Sequence, residues 1–196
     1  MVAQDLIGAF LGHRLGDGRH VGGRVVEVEA YLGDGSDPSA HSHPGQTTRN
    51  APMFGPAGHL YAYRSYGIHT CVNVVCEPEG RGAAVLLRAL EPLEDLDRMR
   101  ALRGLAADAP ARQIARGPGR LGQAMGFTLE QNGSSLLRGP ISLHARAPGE
   151  AAPRVATGPR VGITKAVDLP YRFWQEDSPW VSPFRPGKTR AARARP

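Results

Sequence analysis

From Arg24 to Leu32 apolar and polar residues alternate, so that Val26, Val28 and Ala30 fall on one face of an extended strand and Glu27, Glu29 and Tyr31 on the other. The same period of two predicts a strand over 60–64, with Tyr61 and Tyr63 sharing a face and Leu60 and Ala62 opposite. Ser65-Tyr66-Gly67 then reads as a tight turn that exposes Tyr66 at a hairpin tip. A returning strand runs from His69 to Val75, with Asn73 set among β-branched neighbours. Residues 83–90 form a nearly all-apolar strand with Arg88 embedded in it, and two late strands are expected over 140–144 and 158–163. Helical spacing appears over 94–107, where Leu96, Met99, Leu102 and Leu105 recur every three residues and Arg98, Arg100 and Arg103 cover the other sides. Shorter helices are expected over residues 2–10 and from Gly117 onward. The glycines at 117–119 either present amides to a phosphate or simply join a loop to a helix.

Between Gly33 and Gly58 the chain is rich in Gly, Pro, Ser and His, and its buriable Met53 and Phe54 argue for an ordered connection. The last aromatics, over 169–174 and 178–184, are expected to return to the core. No repeat and no linker divides the chain, so residues 1–185 are read as one domain and 186–196 as a basic tail without fixed structure.

Composition sharpens this reading only in part. A hydrophobic fraction of 41% suits a folded domain, while 25 glycines and 17 prolines favour many turns over long helices. The net charge of +6 rests almost wholly on arginine, whose planar fork suits phosphate; a GC-rich coding bias gives the same excess. No apolar run reaches a membrane span and no leader pattern is recognisable, so the expected place is the cytoplasm, at the nucleoid in a bacterium. Cys71 and Cys76 lie five positions apart on opposite strand faces, which disfavours a disulfide between them. His41 and His43 have no further ligand at metal-binding spacing, and no metal or cofactor is expected.

Candidate chemistry gathers on the strands. A carboxylate among aromatic faces suits general-base work on a flat, electron-poor ring. Glu29 is the better candidate because it lies next to Tyr31 on their shared face, and Glu27 reads as a structural or surface carboxylate. A buried Arg88 needs an acidic partner, and Glu29 is the obvious one. Each residue also has a plainer reading. Tyr61 and Tyr63 suit an ordinary sheet, Tyr66 an ordinary hairpin, and Asn73 could satisfy a buried backbone group.

The motifs Val26-Glu-Val-Glu-Ala-Tyr-Leu32, Ala40-His-Ser42, Thr48-Arg-Asn50, Leu60-Tyr-Ala-Tyr63, Tyr66-Gly67, Cys71-Val-Asn-Val74 and Leu86-Leu-Arg-Ala-Leu-Glu-Pro92 stand in this order, followed by Gly117-Pro-Gly-Arg-Leu121, Arg160-Val-Gly-Ile163 and Ser178-Pro-Trp-Val-Ser182. Together they resemble the alkyladenine (3-methyladenine) DNA glycosylase family over nearly the whole chain. The resemblance implies an α+β fold, a single compact domain with a curved antiparallel β-sheet core flanked by short helices. It implies a monomer acting on double-stranded DNA that contains alkylated or deaminated purines, flipping the base and hydrolysing its bond to deoxyribose. By the same resemblance Glu29 is the general base and Arg88 holds the water and the carboxylate. Tyr31 and His41 line one face of the flipped base, Tyr63 stacks on the other, Asn73 limits which purines fit, and Tyr66 fills the gap left in the duplex.

With only Lys165 and Lys188 available, and both far along the chain from these residues, a Schiff base is not expected, and the product is an abasic site. Two other classes fit parts of the pattern: a non-enzymatic nucleic-acid-binding module, and a hydrolase of free nucleosides or glycosides. A carboxylate in a phosphate-binding groove speaks against the first. Glu27 and Glu29 side by side, rather than across a sugar, speak against the second.

Overall fold

A computed structural model describes residues 1–184, so the basic segment over 186–196 lies outside the described residues. After a single helical turn, α1 (Val2–Asp5), the chain enters the hairpin β1 (Phe10–Arg14) and β2 (His20–Tyr31). The second hairpin is β3 (Leu60–Ser65) and β4 (His69–Val75), followed by β5 (Ala84–Glu94). Two short helices, α2 (Leu96–Leu102) and α3 (Pro118–Ala124), precede β6 (Ile141–His144), β7 (Val155–Gly158) and β8 (Arg172–Gln175). The strands form one curled antiparallel sheet in the order β3-β4-β5-β2-β1-β6, with the β7–β8 hairpin attached to β2 through β8. The α+β expectation holds.

β2 is the spine of the sheet. One edge pairs with β5 along its length, while the other pairs with β1 over Arg24 and the residues before it and with β8 over Glu27–Glu29. The register with β5 slips between Val25 and Glu27 and again before Val28, an irregularity of the bulge kind that increases local twist. It also changes which valine faces the core. Val25, not Val26, joins Val28 and Ala30 in the main hydrophobic cluster, although Val26 is equally buried. Strict alternation cannot foresee an inserted residue.

Three further boundaries differ from the sequence reading. The segment 2–10 divides into α1 and the start of β1. The helix expected over 94–107 is confined to Leu96–Leu102: β5 runs on to Glu94, Asp95 caps the helix by accepting from the Arg98 amide, and Gly104 ends it at a φ of 63°. The strand expected over 158–163 lies earlier, as β7, because Pro159 lacks a donor for the ladder and Arg160 is drawn away to Asp37. α3 lies against β4 and β5, and Gly122 permits it: a Cβ there would stand 2.0 Å from the Thr70 carbonyl oxygen. No helix among the described residues is long and apolar enough to cross a membrane.

Candidate active site

Sheet register assembles the site. Tyr61 opposes Asn73, Asn73 opposes Leu86, Leu86 opposes Glu29, and Glu29 opposes Arg172. Directly paired residues project from the same face, so this is one row of side chains across five strands. Two positions along β3, Tyr63 opposes Cys71, and Arg88 follows Leu86 on the same face of β5. The connection 33–58 and the segment after β7 close over this face. They leave a cavity of about 310 Å³ whose lining includes Glu29, Tyr31, His41, Tyr63, Tyr66, Asn73 and Arg88. All seven residues singled out from the sequence thus border one cavity.

Glu29 is fully buried and meets three donors. Its Oε1 accepts the Val161 amide at 2.7 Å, and its Oε2 accepts the Tyr31 hydroxyl at 3.0 Å and pairs with Arg88 Nη1 at 3.1 Å. Burial lifts its carboxyl above the ordinary carboxylate range, and Arg88, the Val161 amide and Tyr31 only partly offset that lift. Glu27, also fully buried, has a different fate. Arg88 Nε, Arg172 Nε and the Ser182 hydroxyl all donate to its Oε1, and the Ser182 amide donates to Oε2 at 2.7 Å. Burial pushes this carboxyl up too, but the two arginines and the two Ser182 hydrogen bonds outweigh it and hold Glu27 low. An ionised carboxylate has about four acceptor positions. Glu27 has four donors, three of them on Oε1, and does not line the cavity, whereas Glu29 has three and lines it.

The aromatic wall is similarly fixed. Tyr61 and Tyr63 stack at a centroid distance of 5.6 Å, and His41 meets Tyr63 edge-on at 4.6 Å. His41 and Tyr63 therefore adjoin, with no room for a third ring between them. His41 Nδ1 is bonded to the Tyr61 hydroxyl at 3.0 Å, and Asn50 ties down the His41 carbonyl at 2.8 Å. Burial, then the charge of Arg49, lowers the His41 pKa, so its ring is neutral at pH 7. Tyr61, whose pattern suits an ordinary sheet aromatic, both lines the cavity and orients His41. Burial pushes its hydroxyl up to about 12 and raises those of Tyr31 and Tyr63 as well, which keeps all three protonated. Asn73 borders the cavity while donating to the Tyr61 carbonyl at 3.0 Å.

Three supporting residues went unassigned in the sequence. Arg160 is wholly buried, grips both oxygens of Asp37, donates to the Ala30 carbonyl and stacks 4.6 Å from the Tyr31 ring centre. Arg172 and Ser182 complete the shell of Glu27. A charged residue beside a proline is the only local hint for Arg160 and Asp37. The distance of Lys165 along the chain also misleads, since its carbonyl accepts from the Ser39 hydroxyl at the cavity rim. Its side chain is exposed and does not line the cavity. Cys71 does line it, as a buried thiol that burial holds above its ordinary pKa, and both cysteines are free.

Comparison with known proteins accords with this geometry. A family model described as methylpurine-DNA glycosylase matches residues 1–179. The chain belongs to that family. A relative from Rhodopseudomonas palustris (strain HaA2) named as a 3-methyladenine DNA glycosylase is 54% identical over 185 residues, which cover 94% of this chain and 86% of the relative. One of the same name from Methanoculleus marisnigri is 54% identical over 183 residues, covering 92% of each chain. A third, from Nitrosospira multiformis, is 52% identical over 185 residues, covering 94% of this chain and 89% of its own. Membership makes this chain a DNA glycosylase for alkylated bases.

Proposed function

We propose that this chain extrudes an alkylated purine from duplex DNA into the cavity beside Glu29 and hydrolyses the bond joining it to deoxyribose. The observation that carries the reading is the state of Glu29: buried, oriented by three donors, raised in pKa, and lining the cavity. A raised carboxyl is a stronger base, which suits removal of a proton from water.

In the reaction, Glu29 takes a proton from water as the water oxygen bonds to C1′. The electron pair of the C1′–N bond leaves with the purine, and an abasic deoxyribose remains. A purine alkylated at N3 or N7 is cationic, and departure neutralises it, so no general acid is needed for this class. Arg88 holds both Glu29 and the incoming water. Tyr31 and Tyr63 supply the faces on which the base stacks, and an electron-rich ring favours a cationic base by about 0.5–2 kcal/mol over a neutral one. Neutral His41, tethered by Tyr61, borders the base without repelling its charge. Asn73 limits the purine's outline, and Tyr66 occupies the gap in the duplex. The enzyme works as a monomer in the cytoplasm and is monofunctional, a reading supported by the lack of a lysine among the described residues that line the cavity.

The test is incubation with alkylated duplex DNA. The expected outcome is free methylated purine, intact strands carrying abasic sites, and no covalent adduct after borohydride. Tight DNA binding without base release would favour the binding-module reading, and a borohydride adduct would overturn the hydrolytic one.

A further inference from the structure

Behind the cavity four ionised side chains share one buried network: Glu27 and Glu29 from β2, Arg88 from β5 and Arg172 from β8. Their charges sum to zero. Arg88 is divided between the two carboxylates, with Nε on Glu27 and Nη1 on Glu29. Arg172 spends its Nε on Glu27 and its Nη2 on the Ser182 carbonyl, although by register it stands directly opposite Glu29. We propose that Glu27 is a positioning residue for the reaction, engaging Arg88 and Arg172 so that their charge does not fall wholly on Glu29.

The alternative, a carboxylate that merely pins the C-terminal segment through Ser182, explains the bonds that Ser182 makes, including those from Arg88 Nη2 and Arg172 Nη2, but not why the Nε of both arginines is turned to Glu27. Without the Glu27 charge, two guanidiniums would face one catalytic carboxylate. That carboxylate would bind a proton less readily, would be a weaker base, and would lie in a site of net positive charge. A cationic purine would then meet repulsion from the same site. The other groups around Glu29 do not redress the balance. Tyr31 on β2, Tyr63 on β3 and Cys71 on β4 are held neutral by burial. Arg160, in the segment after β7, is matched by Asp37. Val161 offers only its amide. Burial dominates the basicity of Glu29, and Arg88 and Glu27 are the neighbouring charges that adjust it, with Arg172 held on Glu27.

This inference rests on Glu29 being the base, so Glu29→Gln is measured alongside. The experiment follows single-turnover release of 7-methylguanine from duplex DNA across pH for wild type, Glu27→Gln, Glu27→Asp and Arg172→Gln. Removing one unit charge within contact distance shifts a carboxylate by roughly one pH unit or more. The acid limb of the profile should move down by about that much in Glu27→Gln and up in Arg172→Gln, while Glu27→Asp keeps the wild-type midpoint. Opposite shifts cannot arise from general damage to the fold, and if Glu27→Gln fails to fold, the upward shift in Arg172→Gln carries the test alone. Midpoints equal to wild type, with rates merely lowered, would overturn the role of Glu27. An active Glu29→Gln would instead overturn the reading on which it rests.

Discussion

Glu27 and Glu29 leave the same face of β2, yet four donors reach the first and three reach the second. Their burial is the same, but Glu29 alone of the two lines the cavity, and that supports its proposed role as the base. The preference for Glu29 was readable from its proximity to Tyr31 on a shared strand face, and its pairing with Arg88 from the need of a buried cation for an acidic partner. The second carboxylate on Arg88 was not readable, because the shell of Glu27 comes from Ser182, 155 residues away. The same holds for Arg160 and Asp37, separated by 123 residues and joined only by the folded topology. Removing one partner of such a pair leaves a buried charge unmatched, which costs about 3–5 kcal/mol. Arg160→Ala should lose stability of that order in denaturant unfolding, together with the stack on Tyr31; a loss below 1 kcal/mol would show that Asp37 is served by the Leu32 and Ser39 amides alone.

At the level of elements, the site is a product of register. Period-two patterning located β2, β3, β4 and β5 and the faces of most of their residues, but not which rows align across them. Nor did it reveal the slip near Glu27 that places Val25 in the core. The β3–β4 turn was legible in full. Tyr66 and Gly67 take φ values of 49° and 73°, the paired positive values of a type I′ turn, and Ile68 closes it by donating to the Ser65 carbonyl at 3.1 Å. A tyrosine held left-handed and 87% exposed gains nothing for the core, and an outlier of this kind points to function. Tyr66→Ala should leave unfolding within about 0.5 kcal/mol of wild type. Excision from duplex DNA should slow at least tenfold, because unstacking costs a few kcal/mol that the wedge no longer offsets. Equal rates on duplex DNA for the two proteins would remove Tyr66 from the flipping step.

On the scale of the molecule, a continuous core under one curled sheet holds a neutral buried network beneath a cavity, while the chain as a whole carries +6. Five positive charges, Arg185, Lys188, Arg190, Arg193 and Arg195, lie outside the described residues; among the described residues, Arg49 and Arg64 are exposed beside the Tyr66 turn, where Arg64 Nη1 reaches the Ile68 carbonyl. Composition foretold an affinity for polyanions, and the ordered motifs foretold the family and its α+β sheet. What composition lacks is any sign that the interior charges cancel, since that depends on which arginines fold inward. Every proposed step depends on Glu29 acting as the base, and the most direct measurement is single-turnover release of methylated purine by wild type and Glu29→Gln at saturating enzyme. Loss of a general base should slow the reaction about 10²–10⁴-fold while binding to abasic-site DNA persists. Release at the wild-type rate by a folded, DNA-binding Glu29→Gln would contradict it.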